Sequence, residues 1–121
     1  GLGGQDTWRG YPGERAEIFG WIDEYGIEGV VLLSSDRHRS DAYRHERPDA
    51  YDLFEFCSAK FTNLHTHDLM EASLFGYNEK PSFGLLTFDT ACAKPFVRYQ
   101  IVNIEGEVMH ELSVARDDLR R

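Results

Sequence analysis

Hydrophobic and polar positions along the chain change period several times, and each change marks an element. From Pro12 the apolar residues Ile18, Trp21, Ile22 and Tyr25 fall at i, i+3, i+4 and i+7, while Glu14, Glu17, Asp23 and Glu24 occupy other faces, which predicts an amphipathic helix. Pro12 suits its first turn and Gly26 its C-terminal stop. Gly29-Val30-Val31-Leu32-Leu33-Ser34 is short, unbroken and β-branched, the pattern of a central strand covered on both faces. Ser35 to Asp49 is dense in charge without apolar spacing and predicts a long exposed loop at that strand's end, where ligands collect in α/β sheets. Tyr51 to Cys57 alternates as a strand, and Ala59 to Tyr77 is mixed, with one helical turn expected near Leu69 to Leu74. Phe83 to Phe88, Val97 to Ile101, and Val108, His110, Leu112 and Val114 predict three antiparallel closing strands, the last two joined at Glu105-Gly106. Gly1 to Gly4 reads as loop, and the charged Arg116 to Arg121 is expected to fray.

Composition narrows the class without naming a chemistry. A chain of 121 residues with 41% hydrophobic content can build one packed core, so residues 1–121 are expected to form a single unit rather than a disordered tail. The longest apolar run, Val30 to Leu33, is far below the ~18 residues that span a bilayer, so no membrane partner is expected. With 21 acidic against 13 basic residues the net charge is −8, which argues against a phosphate-coating nucleic-acid binder and against sequence-specific nucleic-acid recognition. An acidic chain remains compatible with a site that holds cations, because bound divalent ions reverse the local sign an anion meets. Cys57 and Cys92 are too few for a disulfide framework and leave a single bridge open.

Three constellations carry candidate chemistry, each with a plain structural alternative. Asp36-Arg37-His38 follows directly on the predicted buried strand. On an extended segment Asp36 and His38 point to one side, where a carboxylate oxygen and a ring nitrogen reach one metal or adjacent metals, with Arg37 pointing away. The same triplet also describes a solvated loop. Asp6 to Arg15 crowds a carboxylate, Trp8, Tyr11, Arg9 and Arg15 into the approach to the helix, as aromatic walls and a guanidinium fork for phosphate or as a tight turn. His65-Thr66-His67 has metal-ligand spacing but no clear strand around it, so it reads first as exposed loop, with an independent metal site as the lesser alternative. His45 and His110 read as structural. No nucleophile elbow or phosphate-cradling glycine loop is present.

Taken in order, Asp6-x-Trp8-x-Gly10-Tyr11, Glu14-Arg15, an amphipathic helix, Val30 to Ser34 and Asp36-x-His38 resemble the C-terminal part of alkaline phosphatase D-type (PhoD-like) metallophosphoesterases. Phe56 to Asn63 resembles that family's serine-rich stretch ending in asparagine, and Phe75-Gly76 through Val114 its closing strands. The resemblance implies the C-terminal half of a four-layer α/β/β/α sandwich, an α/β (α+β) class, and hydrolysis of phosphate mono- or diesters by metal-activated water. It places Asp36 and His38 among the metal ligands and catalytic residues, and Asp6 as a ligand or an orienting residue. Trp8, Tyr11 and Arg15 would shape the substrate pocket or hold the helix. The implied cofactors are divalent or mixed-valence ions (Ca, Fe, Zn or Mn), and family members are often exported. Two departures stand out. Ser35 replaces the family's usual glycine, and the upstream ligand motifs D-x-H, G-D-x-x-D and G-N-H-[DE] have no counterpart here.

The expected partners are therefore a phosphate ester and the missing N-terminal half of the domain, the chain alone being inactive. An exposed sheet edge and an uncovered apolar face would then favour a homodimer. The alternative is a non-catalytic binding or structural domain that keeps half of the fold.

Overall fold

The computed structural model describes residues 6–121, so the glycine-rich opening lies outside the described residues. Helix α1 (Pro12–Glu24) starts with proline in its first turn, where the missing N–H has no intrahelical partner to lose. It stops at Gly26, whose φ of 59° lets the Gly26 N–H reach the Asp23 carbonyl at 3.2 Å and the Ile27 N–H the Ile22 carbonyl at 2.8 Å.

Among the described residues seven strands form two sheets. The first has the order β1-β3-β2-β4, from β1 (Val31–Ser34), β2 (Ser40–His45), β3 (Leu53–Cys57) and β4 (Phe75–Tyr77). In it β1 runs parallel to β3, and β2 runs antiparallel to both of its neighbours. The second is an antiparallel meander of β5 (Ser82–Asp89), β6 (Phe96–Asn103) and β7 (Val108–Ala115).

Alternation divides the first sheet into two chemically distinct faces. Ala42 and Phe56 pair on the face toward the second sheet, where Phe56 stacks on Tyr99 at 4.7 Å and the Tyr99 hydroxyl donates to the Cys57 carbonyl at 2.6 Å. Tyr43, His45 and Glu55 lie on the opposite face, and Phe19 of α1 meets the His45 ring there at 5.8 Å. The molecule is thus a mixed α+β layering of helix, sheet and sheet.

The three closing strands form where expected, with a register shift between β6 and β7 at Ile101 and Val102, and with Val108 exposed rather than buried on the face of Val114. Val97, Tyr99 and Ile101 are buried and alternate with the half-buried Phe96, Arg98 and Gln100. Several other expectations are corrected. The segment Ser35 to Asp49 is not all loop: it contains β2, whose residues Ser40 to Tyr43 are fully buried among β3 and β4. Its polar letters hid a strand because those polar groups are paired inside, Arg39 Nε donating to Asp41 Oδ2 at 2.5 Å and the Tyr43 hydroxyl to the same oxygen at 2.8 Å. Strand β1 is an edge strand, not a central one, and Leu33 is 64% exposed.

On α1 the buried stripe is Phe19 and Ile22, while Ile18, Trp21 and Tyr25 face outward. Ile22 of the expected stripe is buried, but its buried companion is Phe19, which meets His45, rather than Ile18, Trp21 or Tyr25. The turn expected near Leu69 to Leu74 is a single turn closed by the Ser73 N–H on the Met70 carbonyl. Arg116–Leu119 forms a 3-10 turn with Leu119 buried, so the tail does not fray from Arg116. Cys57 and Cys92 are both free thiols, and burial pushes Cys57 up to about 11.

Candidate functional site

Two groups of side chains gather where β1 ends. The first lines an open cleft of about 480 Å³ with Asp6, Trp8, Tyr11, Asp36 and Arg37 among its walls. An arginine from one segment and an aspartate from the other close it: Arg37 Nη2 donates to Asp6 Oδ1 at 3.0 Å across 31 residues of sequence. Trp8 packs edge-on against Phe19 at 5.9 Å, which fixes one aromatic wall to the helix. Arg15 does not face this cleft. It stacks over Phe19 at 4.7 Å and donates to His45 Nδ1 at 3.2 Å, clamping α1 to the first sheet. With Nδ1 accepting, His45 uses Nε2–H to donate to Glu55 Oε2 at 2.8 Å, and Glu55 in turn lines the floor of the cleft.

The second group is three histidines. Ligand-bearing nitrogens of His38, His65 and His67 all lie within 4.8 Å of one another, with ring centroids 4.9 to 5.3 Å apart. Backbone contacts hold the loop at this point: the His38 N–H donates to His67 Nδ1 at 2.9 Å, and the His67 N–H reaches the His38 carbonyl at 3.4 Å. Asn63 adds an orienting amide. Its Oδ1 accepts the His65 N–H at 3.0 Å, which leaves Nδ2 facing His38 Nε2 at 3.1 Å. His67 is held below the usual imidazole range, first by desolvation and then by the positive Arg37, so it is biased toward the neutral form that binds metals.

Asp36 and His38 therefore part company. Asp36 takes a left-handed φ of 71° and the chain bends through Arg37 to Arg39, so the extended geometry that would aim both side chains the same way is absent. Asp36 and Arg37 go to the cleft, and His38 turns to the histidine group. The His65-x-His67 spacing and the strand-end His38 were visible as separate signals. Their meeting was not, because it depends on where a loop without periodicity folds back. Beneath both groups, Arg39, Asp41 and Tyr43 form a buried network with no sequence signal beyond their polarity. Burial pushes the Asp41 carboxyl up, and Arg39 and Tyr43 draw it part of the way back. A scan of protein-family models and searches of curated proteins and of solved structures returned no match to this chain.

Proposed function

We propose that this chain supplies part of the site of a metal-dependent phosphoester hydrolase of the PhoD-like metallophosphoesterase kind, as the C-terminal half of its four-layer sandwich. The observation that carries the reading is the convergence of two segments on one cleft. The Asp6-x-Trp8 and Tyr11 segment and the Asp36-Arg37 segment, far apart in sequence, wall the same space and are joined by the Asp6 to Arg37 pair. The order of helix, sheet and sheet also suits three of that sandwich's four layers.

In this reading Trp8 and Tyr11 hold the organic part of the ester and exclude water from one side. Arg37 offers a guanidinium to a phosphoryl oxygen and, while paired with Asp6, keeps its fork aimed across the cleft. Asp36 presents a carboxylate to the cleft from the end of a strand, whereas His38, two residues on, faces His65 and His67 and would join Asp36 on a metal only once the loop turned. The carboxylates and imidazole fit oxygen- and nitrogen-loving divalent ions but are too few to hold a dinuclear centre, so the reading assigns the remaining ligands to polypeptide outside these residues. Metal ions bound there would neutralise phosphate charge and lower the pKa of the attacking water.

The test measures metal content and bis-p-nitrophenyl phosphate hydrolysis for this chain and for a polypeptide that carries it with its upstream segment. The longer protein is expected to turn over and the shorter to be silent. In the longer protein Asp36→Ala and His38→Ala are each expected to lose metal and at least about 100-fold in rate. A folded, metal-loaded longer protein without hydrolysis would overturn the enzyme and leave a non-catalytic binding domain.

A further inference from the structure

We infer that His38, His65 and His67 form a three-imidazole site for a borderline transition-metal ion of the Zn²⁺ or Co²⁺ class, a site this chain builds from its own residues. Three imidazole nitrogens within 4.8 Å of one another suit one ion with a fourth position open to water. An all-imidazole set selects Zn, Co, Ni or Cu over Ca or Mg, which require oxygen. The ligands also come from a defended scaffold. His38 sits just before β2, and the His67 N–H reaches the His38 carbonyl, a tie that coordination of the rings leaves in place.

A second, independent observation points to a ligand. His38 Nδ1 is buried with no hydrogen-bond partner among the described residues. Since Asn63 Nδ2 must donate, His38 Nε2 accepts and Nδ1 carries a proton that nothing receives. Coordination through His38 Nδ1 relieves that mismatch, provided that the Asn63 amide turns over so that its oxygen accepts the proton then carried on Nε2.

Binding has a specific structural consequence. A coordinated imidazole carries its remaining proton on the other nitrogen, so His67 cannot accept the His38 N–H whether the ion takes Nδ1 or Nε2. Loading the site must therefore release the 2.9 Å bond between the His38 amide and the His67 ring. The inference stands on the three rings and not on the hydrolase reading.

The test titrates tag-free protein with Co²⁺ and then Zn²⁺. One equivalent of Co²⁺ is expected to give visible ligand-field bands that Zn²⁺ abolishes, and the His38 amide resonance is expected to move on Zn²⁺ addition. His65→Ala and His67→Ala, both on the loop and outside the core, should each weaken Co²⁺ binding by about 10-fold or more, with unchanged circular dichroism. His110→Gln, on the second sheet, should bind as the parent does. Absence of Co²⁺ binding, parent-like titration of both loop variants, or loss of binding only in Asp36→Ala would overturn the assignment. Hydrolysis plays no part in any of these readouts, so a failed phosphoesterase assay with Co²⁺ bound would sink the hydrolase reading alone.

Discussion

At the scale of single residues, the joint between the two sheets rests on Tyr99 and the glycine that makes room for it. A Cβ on Gly84 would lie 2.4 Å from Tyr99 Cε2 and 3.0 Å from Ser58 Cβ, and the Tyr99 ring is held in place by its hydroxyl bond to the Cys57 carbonyl and its stacking on Phe56. Gly84→Ala is therefore expected to cost about 1 to 3 kcal/mol, read as a lower urea midpoint at unchanged slope. Glu55 sets a different kind of dependence. Burial alone raises a carboxyl, yet the hydrogen bond from His45 leads the interactions that outweigh it and hold Glu55 at about 2 against an ordinary 4.5. A group depressed on folding contributes stability that is complete above its unfolded value and is lost as pH falls toward the folded one. The thermal midpoint should drop between pH 4.5 and pH 2. Glu55→Gln should flatten that limb while leaving the neutral region lower overall, because His45 then meets a weaker acceptor.

At the scale of elements, β1 is the exposed one. Its outer edge has no strand partner among the described residues, and Leu33 stands 64% exposed upon it. Such an edge pairs with whatever strand it meets, so the chain alone is expected to self-associate as concentration rises in sedimentation experiments. Leu33→Lys, which puts a charge on the edge without touching the core, should return it to monomer. A parent chain that stays monomeric at high concentration would show the edge to be guarded in some other way.

The same element shows where sequence reading succeeds and where it stops. Periodicity located α1, β1, β3 and all three strands of the second sheet, because their apolar positions repeat at 3.6 or 2 and their ends carry Pro12, Gly26 or Glu105-Gly106. It missed β2 because Arg39, Asp41 and Tyr43 bury polar groups that hydrogen-bond to one another, and a partner in space leaves no mark in the order of letters. It missed the edge position of β1 for a related reason: a β-branched run reports capacity for burial, not the neighbours that provide it. At the site, Asp6, Trp8, Tyr11 and Asp36 were legible as motif residues and do line one cleft. The bend at Asp36 that sends His38 to His65 and His67 is a backbone event, and no residue type there required it.

At the scale of the whole molecule, the two sheets differ in how their chain is laid out. The second sheet joins β5, β6 and β7 in sequence order through short connections, so all of its pairings are local. The first must set β3 between β1 and β2 and bring β4 in from beyond a long loop. Local pairings close first because little chain entropy is lost before contacts repay it. The meander is therefore expected to form before the sheet it supports, offering Tyr99 as a surface on which Phe56 and Phe75 stack. The histidines and the cleft are then expected to acquire shape late. Any ion captured during synthesis meets a loop still free to choose its fold.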